Sequence, residues 1–146
     1  LSLIRFPASS NATWTPRCKA GEVVRRCVIV DDNERFLAVA RSSLERGGLE
    51  VVGTATTMTD ALDQVEALRP DVVLVDIVLG TESGLDLARR IVAATEASAP
   101  PHVVLISTHR EDEVAELVAS SPAVGFVWKA HLSARAVRDV VAAGEQ

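Results

Sequence analysis

The chain has 146 residues, 48% of them hydrophobic, and a formal net charge of −5. That length and apolar content suit one domain able to bury most of its own core. The acidic balance and the lack of a basic stripe argue against a nucleic-acid surface, and no apolar run approaches the ~20 residues of a membrane span.

Residues 1–24 hold Pro7, Ser9, Ser10, Asn11, Pro16 and Gly21 without sustained periodicity and read as a tail or linker. The only methionine is Met58, so the expectation is a processed or trimmed start, with Ser10-Asn11-Ala12 resembling a cloning scar. From residue 25 to 143 strand and helix alternate five times. The first strand, 26–30, is followed by a helix over 33–46 with Phe36, Leu37, Ala40 and Leu44 on one face, stopped by Gly47-Gly48. The second strand is 50–55, and Thr59 is the expected cap of a helix carrying Ala61, Leu62, Val65 and Leu68, which Pro70 ends. The third strand, 71–76, leads through a loop with Gly80 to a helix with Leu85, Leu87, Ala88, Ile91 and Val92. After Pro100-Pro101 come a strand over 103–106, a helix with Val114, Leu117 and Val118, and a strand over 124–128. A last helix carries Leu132, Ala136, Val137, Val140 and Val141. Residues 144–146 form the C-terminal end. Uninterrupted apolar strands separated by helices predict an α/β fold, a parallel sheet covered on both faces.

Cys18 and Cys27 lack CxxC spacing and a His/Cys cluster, so no zinc site is expected; Cys27, inside the first strand, reads as a buried thiol. The strand ends are more informative. They run into Asp31-Asp32, Asp76, Ser107 and Lys129. In a parallel sheet these converge on one edge, where open α/β sheets place their ligands. Carboxylates without a glycine-rich phosphate loop suit a hard divalent cation such as Mg²⁺. A carboxylate beside such an ion can attack a phosphoryl group, with a lysine as second cation. Taken singly, each residue has a plainer reading. A strand-end Asp is usually a cap or turn former, Lys129 a surface lysine, Ser107 a satisfied hydroxyl and Phe126 a core residue. Glu111, Asp112, Glu113 and Glu116 read as a solvated helix face.

The ordered set resembles the receiver domains of bacterial response regulators, the CheY-like family, over residues 25–143, with Lys129-Ala130 closest to the NarL/LuxR branch. The resemblance implies a flavodoxin-like (βα)5 three-layer sandwich with strand order 2-1-3-4-5. It implies Asp76 as phosphoacceptor and Asp31, Asp32, Asp76 and the Val78 backbone carbonyl as ligands of Mg²⁺ or Mn²⁺. Ser107 and Lys129 match the residues that contact the phosphoryl group, Phe126 the aromatic that turns with the switch, and Gly84 the family's glycine. Val78 and His109 fall where the family tunes phosphoryl lifetime, and apolar Val78 predicts slow self-dephosphorylation. His102, His109 and His131 are not assigned to phosphotransfer. The pattern departs from the family at Gly80, where Pro is usual, at Thr108, where Ala or Gly is usual, and at Ala130, which replaces Pro and leaves the isomer of the preceding peptide open.

What the resemblance implies is a cytoplasmic two-component signalling domain, not an enzyme. It would be phosphorylated by a sensor histidine kinase or phosphotransfer protein, switch its surface around the fourth helix, fifth strand and fifth helix, and pair with a second copy on phosphorylation. The chain itself would contact neither membrane nor DNA, although an output domain removed from it could bind DNA. It is expected to be either a stand-alone receiver or a piece of a longer regulator. Two alternatives are a phosphorylation-independent pseudo-receiver scaffold and a phosphohydrolase of the haloacid-dehalogenase type. The latter wants a second acid two residues past the nucleophile, where this chain has Val78.

Overall fold

A computed structural model describes residues 24–94 and 100–144. The five apolar runs become β1 (Arg26–Val30), β2 (Glu50–Ala55), β3 (Val72–Asp76), β4 (His102–Ser107) and β5 (Gly125–Trp128), paired in parallel in the order 2-1-3-4-5. The helices are α1 (Glu34–Arg46), α2 (Met58–Leu68), α3 (Gly84–Ala94), α4 (Glu111–Ala119) and α5 (Ala134–Gly144). On one face of the sheet α1 and α5 bring Leu37, Ala40, Leu44, Val137 and Val141 against Ile29, Leu74, Val104 and Ile106. On the other, α2, α3 and α4 bring Ala61, Val65, Leu87, Ile91 and Val114 against Val28, Val30, Val73, Val75 and Leu105. Both faces are therefore covered, and β3 is buried along its whole length for that reason. This is the flavodoxin-like three-layer sandwich, with the strand order that the family resemblance implies.

Val24 already belongs to the core, and the expected tail otherwise lies outside the described residues, as does Cys18. Cys27 is a free, buried thiol. Among the described residues no helix is long and apolar enough to cross a membrane.

Four local features differ from expectation. The cap of α2 is Thr57, not Thr59: its hydroxyl oxygen accepts from the Asp60 N–H at 3.2 Å, and Thr59 lies inside the first turn. Both threonines precede the apolar pattern, and the chain begins the helix at the one whose side chain reaches a free N–H three residues on. Leu132 precedes α5 and closes a short 3₁₀ turn over Lys129–His131; it still packs on the core of the α1 and α5 face. Leu117 is 44% exposed, because α4 buries only a narrow stripe centred on Val114. The loop after Asp76 is a small antiparallel hairpin, Val78–Leu79 with Glu82–Ser83. The hairpin is fastened to α2, where Glu82 Oε1 accepts from the Met58 N–H at 2.9 Å.

Register positions the site. β1 and β3 pair Val30 with Val75, so the next residues, Asp31 and Asp76, leave the sheet at the same level. Ser107 ends β4 opposite Trp128, and Lys129 follows at once.

Candidate functional site

Asp31 is fully buried at the end of β1. Its Oδ1 accepts from the Asn33 N–H at 2.8 Å. The Asn33 side chain in turn accepts from Arg35 and Phe36 N–H groups at 3.0 and 3.1 Å, capping α1. One short segment thus starts a helix and fixes a carboxylate. Asp32 is exposed beside the hairpin tip, where Gly80 has a φ of +59° and a Cβ would stand 3.7 Å from Asp32 Oδ2. That backbone conformation favours glycine, which accounts for the missing proline.

Asp76, also buried, accepts from the Val78 N–H through Oδ1 at 3.1 Å and from Lys129 Nζ through Oδ2 at 2.9 Å. Lys129 Nζ also lies 2.5 Å from Asp31 Oδ2. Asp31 Oδ2 is thus a fully buried carboxylate oxygen whose close partner is this ammonium. The ammonium sits 4.4 Å from the centre of the Phe36 ring, a cation–π contact beside the two carboxylates.

Burial raises the Asp76 carboxyl above the ordinary aspartate range; the Lys129 and Val78 contacts pull it back without cancelling that, and the Asp31 charge adds to the rise. For Lys129 burial pushes downward, but the bonds and charges of Asp31 and Asp76 outweigh it and hold the ammonium above the usual lysine range. Burial thus sets the direction for Asp76, and two neighbouring anions set it for Lys129. Carboxylate oxygens of Asp31, Asp32 and Asp76 lie within 4.8 Å of one another. Three carboxylates against one ammonium leave a formal −2. The all-oxygen donor set and that charge together fit a hard divalent cation.

Gly84 backs Asp76. A Cβ there would come 1.8 Å from the Asp76 carbonyl oxygen, and the Gly84 N–H donates to the Ile77 carbonyl at 2.8 Å, so α3 begins pressed against the end of β3.

Ser107 is buried, and its Oγ accepts from the His109 N–H at 3.0 Å. Phe126, half-buried, packs with the core on the α2, α3 and α4 side. Val78 is 56% exposed in the hairpin. His109 is exposed, its Nδ1 3.6 Å from Glu113 Oε1. No described peptide bond is cis, Lys129-Ala130 included. The structure thus gathers Asp31, Asp32, Asp76 and Lys129 in one cluster, with Val78 and Ser107 on the same edge. Sequence reasoning did not single out Phe36, which its helical spacing assigned to the core, or Asn33.

A profile of the response regulator receiver domain matches residues 27–141. The chain belongs to this family. Among curated relatives, the receiver is 39% identical over 105 residues to protein-glutamate methylesterase/protein-glutamine glutaminase 5 of Myxococcus xanthus, covering 71% of the chain and 30% of that protein. It is 33% identical over 105 residues to the probable transcriptional regulatory protein NarL of Mycobacterium tuberculosis, covering 71% of the chain and 47% of that protein. The receiver thus spans less than half the length of either relative. The solved signal receiver domain of that NarL superposes with a TM-score of 0.70 at 30% identity, covering 81% of this chain and 96% of the other.

Proposed function

We propose that Asp76 is the phosphoacceptor of a two-component phosphorelay. The observation that carries this reading is the buried Asp31–Lys129–Asp76 arrangement, a carboxylate held at the sheet edge with its cation already in contact. An Asp76 carboxylate oxygen attacks the phosphorus of a phosphohistidine on a sensor kinase or phosphotransfer protein. The new O–P bond forms as the P–N bond breaks, and the imidazole leaves with the bonding electrons. Mg²⁺ or Mn²⁺, held by Asp31, Asp32, Asp76 and the Val78 carbonyl, would neutralise charge on the transferred oxygens. The Val78 N–H and the Lys129 ammonium orient the carboxylate before transfer, and Lys129 then pairs with a phosphoryl oxygen. The Ser107 hydroxyl leaves the His109 N–H to donate to another, and Phe126 turns inward as it goes. The surface of α4, β5 and α5 changes shape, and an output domain or a second copy reads it. Val78 offers no group to position a hydrolytic water, so the acyl phosphate is expected to persist well beyond seconds. His109, at the second lifetime-tuning position, is held toward Glu113.

Incubation with Mg²⁺ and acetyl phosphate, followed by intact mass, tests the reading. One alkali-labile phosphate on the wild type and none on Asp76→Asn is the expected result. Absence of label from acetyl phosphate and from phosphorylated kinases would favour the scaffold reading.

A further inference from the structure

Trp128 stands level with Ser107 in the neighbouring strand, and its side chain reaches over the loop that follows Ser107. The indole Nε1 donates to the Thr108 carbonyl at 3.0 Å. The Arg110 guanidinium lies 5.3 Å from the ring centre, and His131 packs edge-on at 4.7 Å. Two of the three residues joining Ser107 to α4 are thus attached to one side chain. The third, His109, donates its N–H to Ser107 Oγ, and the Arg110 N–H is held by Glu113 Oε1 at 3.0 Å, in the first turn of α4. The indole is a fixed post, since its own strand pairs with β4 at Ser107. Any large apolar residue could fill this half-buried position, but an indole N–H is an obligate donor, and here it is spent on the loop.

We propose that Trp128 is a positioning residue for Ser107. Its indole holds the β4–α4 loop in the conformation described above, and the loop must release it before the Ser107 hydroxyl can reach a phosphoryl oxygen on Asp76. The proposal rests on Asp76 being the acceptor. It makes the tether an opposing weight on a two-state equilibrium. Losing one neutral hydrogen bond shifts such an equilibrium about 3- to 10-fold.

Trp128→Phe keeps a ring for Arg110 and His131 and removes the donor together with part of the ring area. In the unphosphorylated variant, amide exchange over residues 108–113 should quicken about 3- to 10-fold while β1 and β3 stay protected. Labelling by acetyl phosphate should accelerate within the same range, with Mg²⁺ affinity unchanged. In the wild type the Trp128 indole N–H resonance should show loss of its hydrogen bond when beryllofluoride and Mg²⁺ are added, a readout that needs no variant. Unchanged loop exchange, exchange raised throughout the sheet, unchanged labelling, or an indole resonance that does not respond would each overturn the proposal. A wild type that takes no phosphoryl group would instead sink the acceptor reading, and loop exchange alone would then decide whether the tether exists.

Discussion

Lys129→Met removes the one cation between Asp31 and Asp76 and keeps most of the stem, so it separates the two tasks of the ammonium. Without metal, Asp31 keeps only the Asn33 N–H as a donor and faces Asp76 with no counter-charge. Breaking a buried ion pair on one side costs about 3–5 kcal/mol, and the slight exposure of Lys129 and Asp76 places this case near ~3 kcal/mol. Metal affinity should move the other way. The ammonium occupies the Asp31 and Asp76 oxygens that a divalent ion would use, at 2.5 and 2.9 Å. For charges of +1 and +2 about 5 Å apart, Coulomb's law gives roughly 2–7 kcal/mol between effective dielectric constants of 80 and 20. A lysine swings its head outward, so the lower end applies and Mg²⁺ should bind the variant about 10- to 30-fold more tightly. Titration with Mg²⁺ in a Trp14→Phe background, read by Trp128 fluorescence and checked by calorimetry, measures this. Urea melts in chelator and in Mg²⁺ measure the stability arm. Free Mg²⁺ at about 100 times its Kd returns about 2.7 kcal/mol, most of the deficit. A variant that binds Mg²⁺ no more tightly than wild type, or is undiminished in chelator, would show that the ammonium is not the counter-ion of this site.

Three further outcomes follow from single contacts. Gly84→Ala drives a methyl into the Asp76 carbonyl and should cost about 3 kcal/mol in urea unfolding; a loss below about 1 kcal/mol would mean that α3 withdraws cheaply. The raised Asp76 carboxyl means that the fold binds its proton more tightly than the unfolded chain does. Its contribution is full below the ordinary aspartate value of 3.8 and fades as pH climbs through the folded value, so Asp76→Asn should be at least as stable as wild type at pH 7; marked destabilisation in melts from pH 4 to 8 would contradict this. Burial, with a smaller push from Asp71, raises the Cys27 thiol to about 12. In a Cys18→Ser background it should resist thiol reagents at pH 8 until the protein unfolds. Stability should fall as pH rises from about 9 toward 12, because the unfolded thiol ionises first, and Cys27→Ala should lessen that slope, most clearly below the lysine range.

The parts legible in the sequence share a physical cause. Parallel pairing aligns the carboxyl ends of strands, so Asp31, Asp76, Ser107 and Lys129 could be placed on one edge from their positions at the ends of apolar runs. The hairpin after Asp76 was not legible, because strands of two residues have no periodicity to read. Phe36 escaped notice because a core-facing aromatic and one lying over an ammonium occupy the same helical stripe; only the third dimension brings Lys129, 93 positions later, above its ring. Thr57 and Thr59 differ by which hydroxyl meets an unbonded N–H, a matter of backbone direction that residue identity does not encode. Leu117 belongs to the same apolar pattern as Val114, and its exposure reflects how little of α4 the sheet covers.

The close seat of Gly84 against the Asp76 carbonyl gives the molecule a direction. The strand that carries Asp76 has an anvil behind it: α3 leaves no gap into which the backbone of Asp76 could recoil. Toward β4 and β5 the neighbours are the Ser107 hydroxyl, which accepts from the His109 N–H, and a loop bonded to the Trp128 indole. Bulk added at Asp76 would push against the stiff side and be accommodated on the compliant one. The asymmetry around that carboxylate is set by the absence of a single methyl group at Gly84.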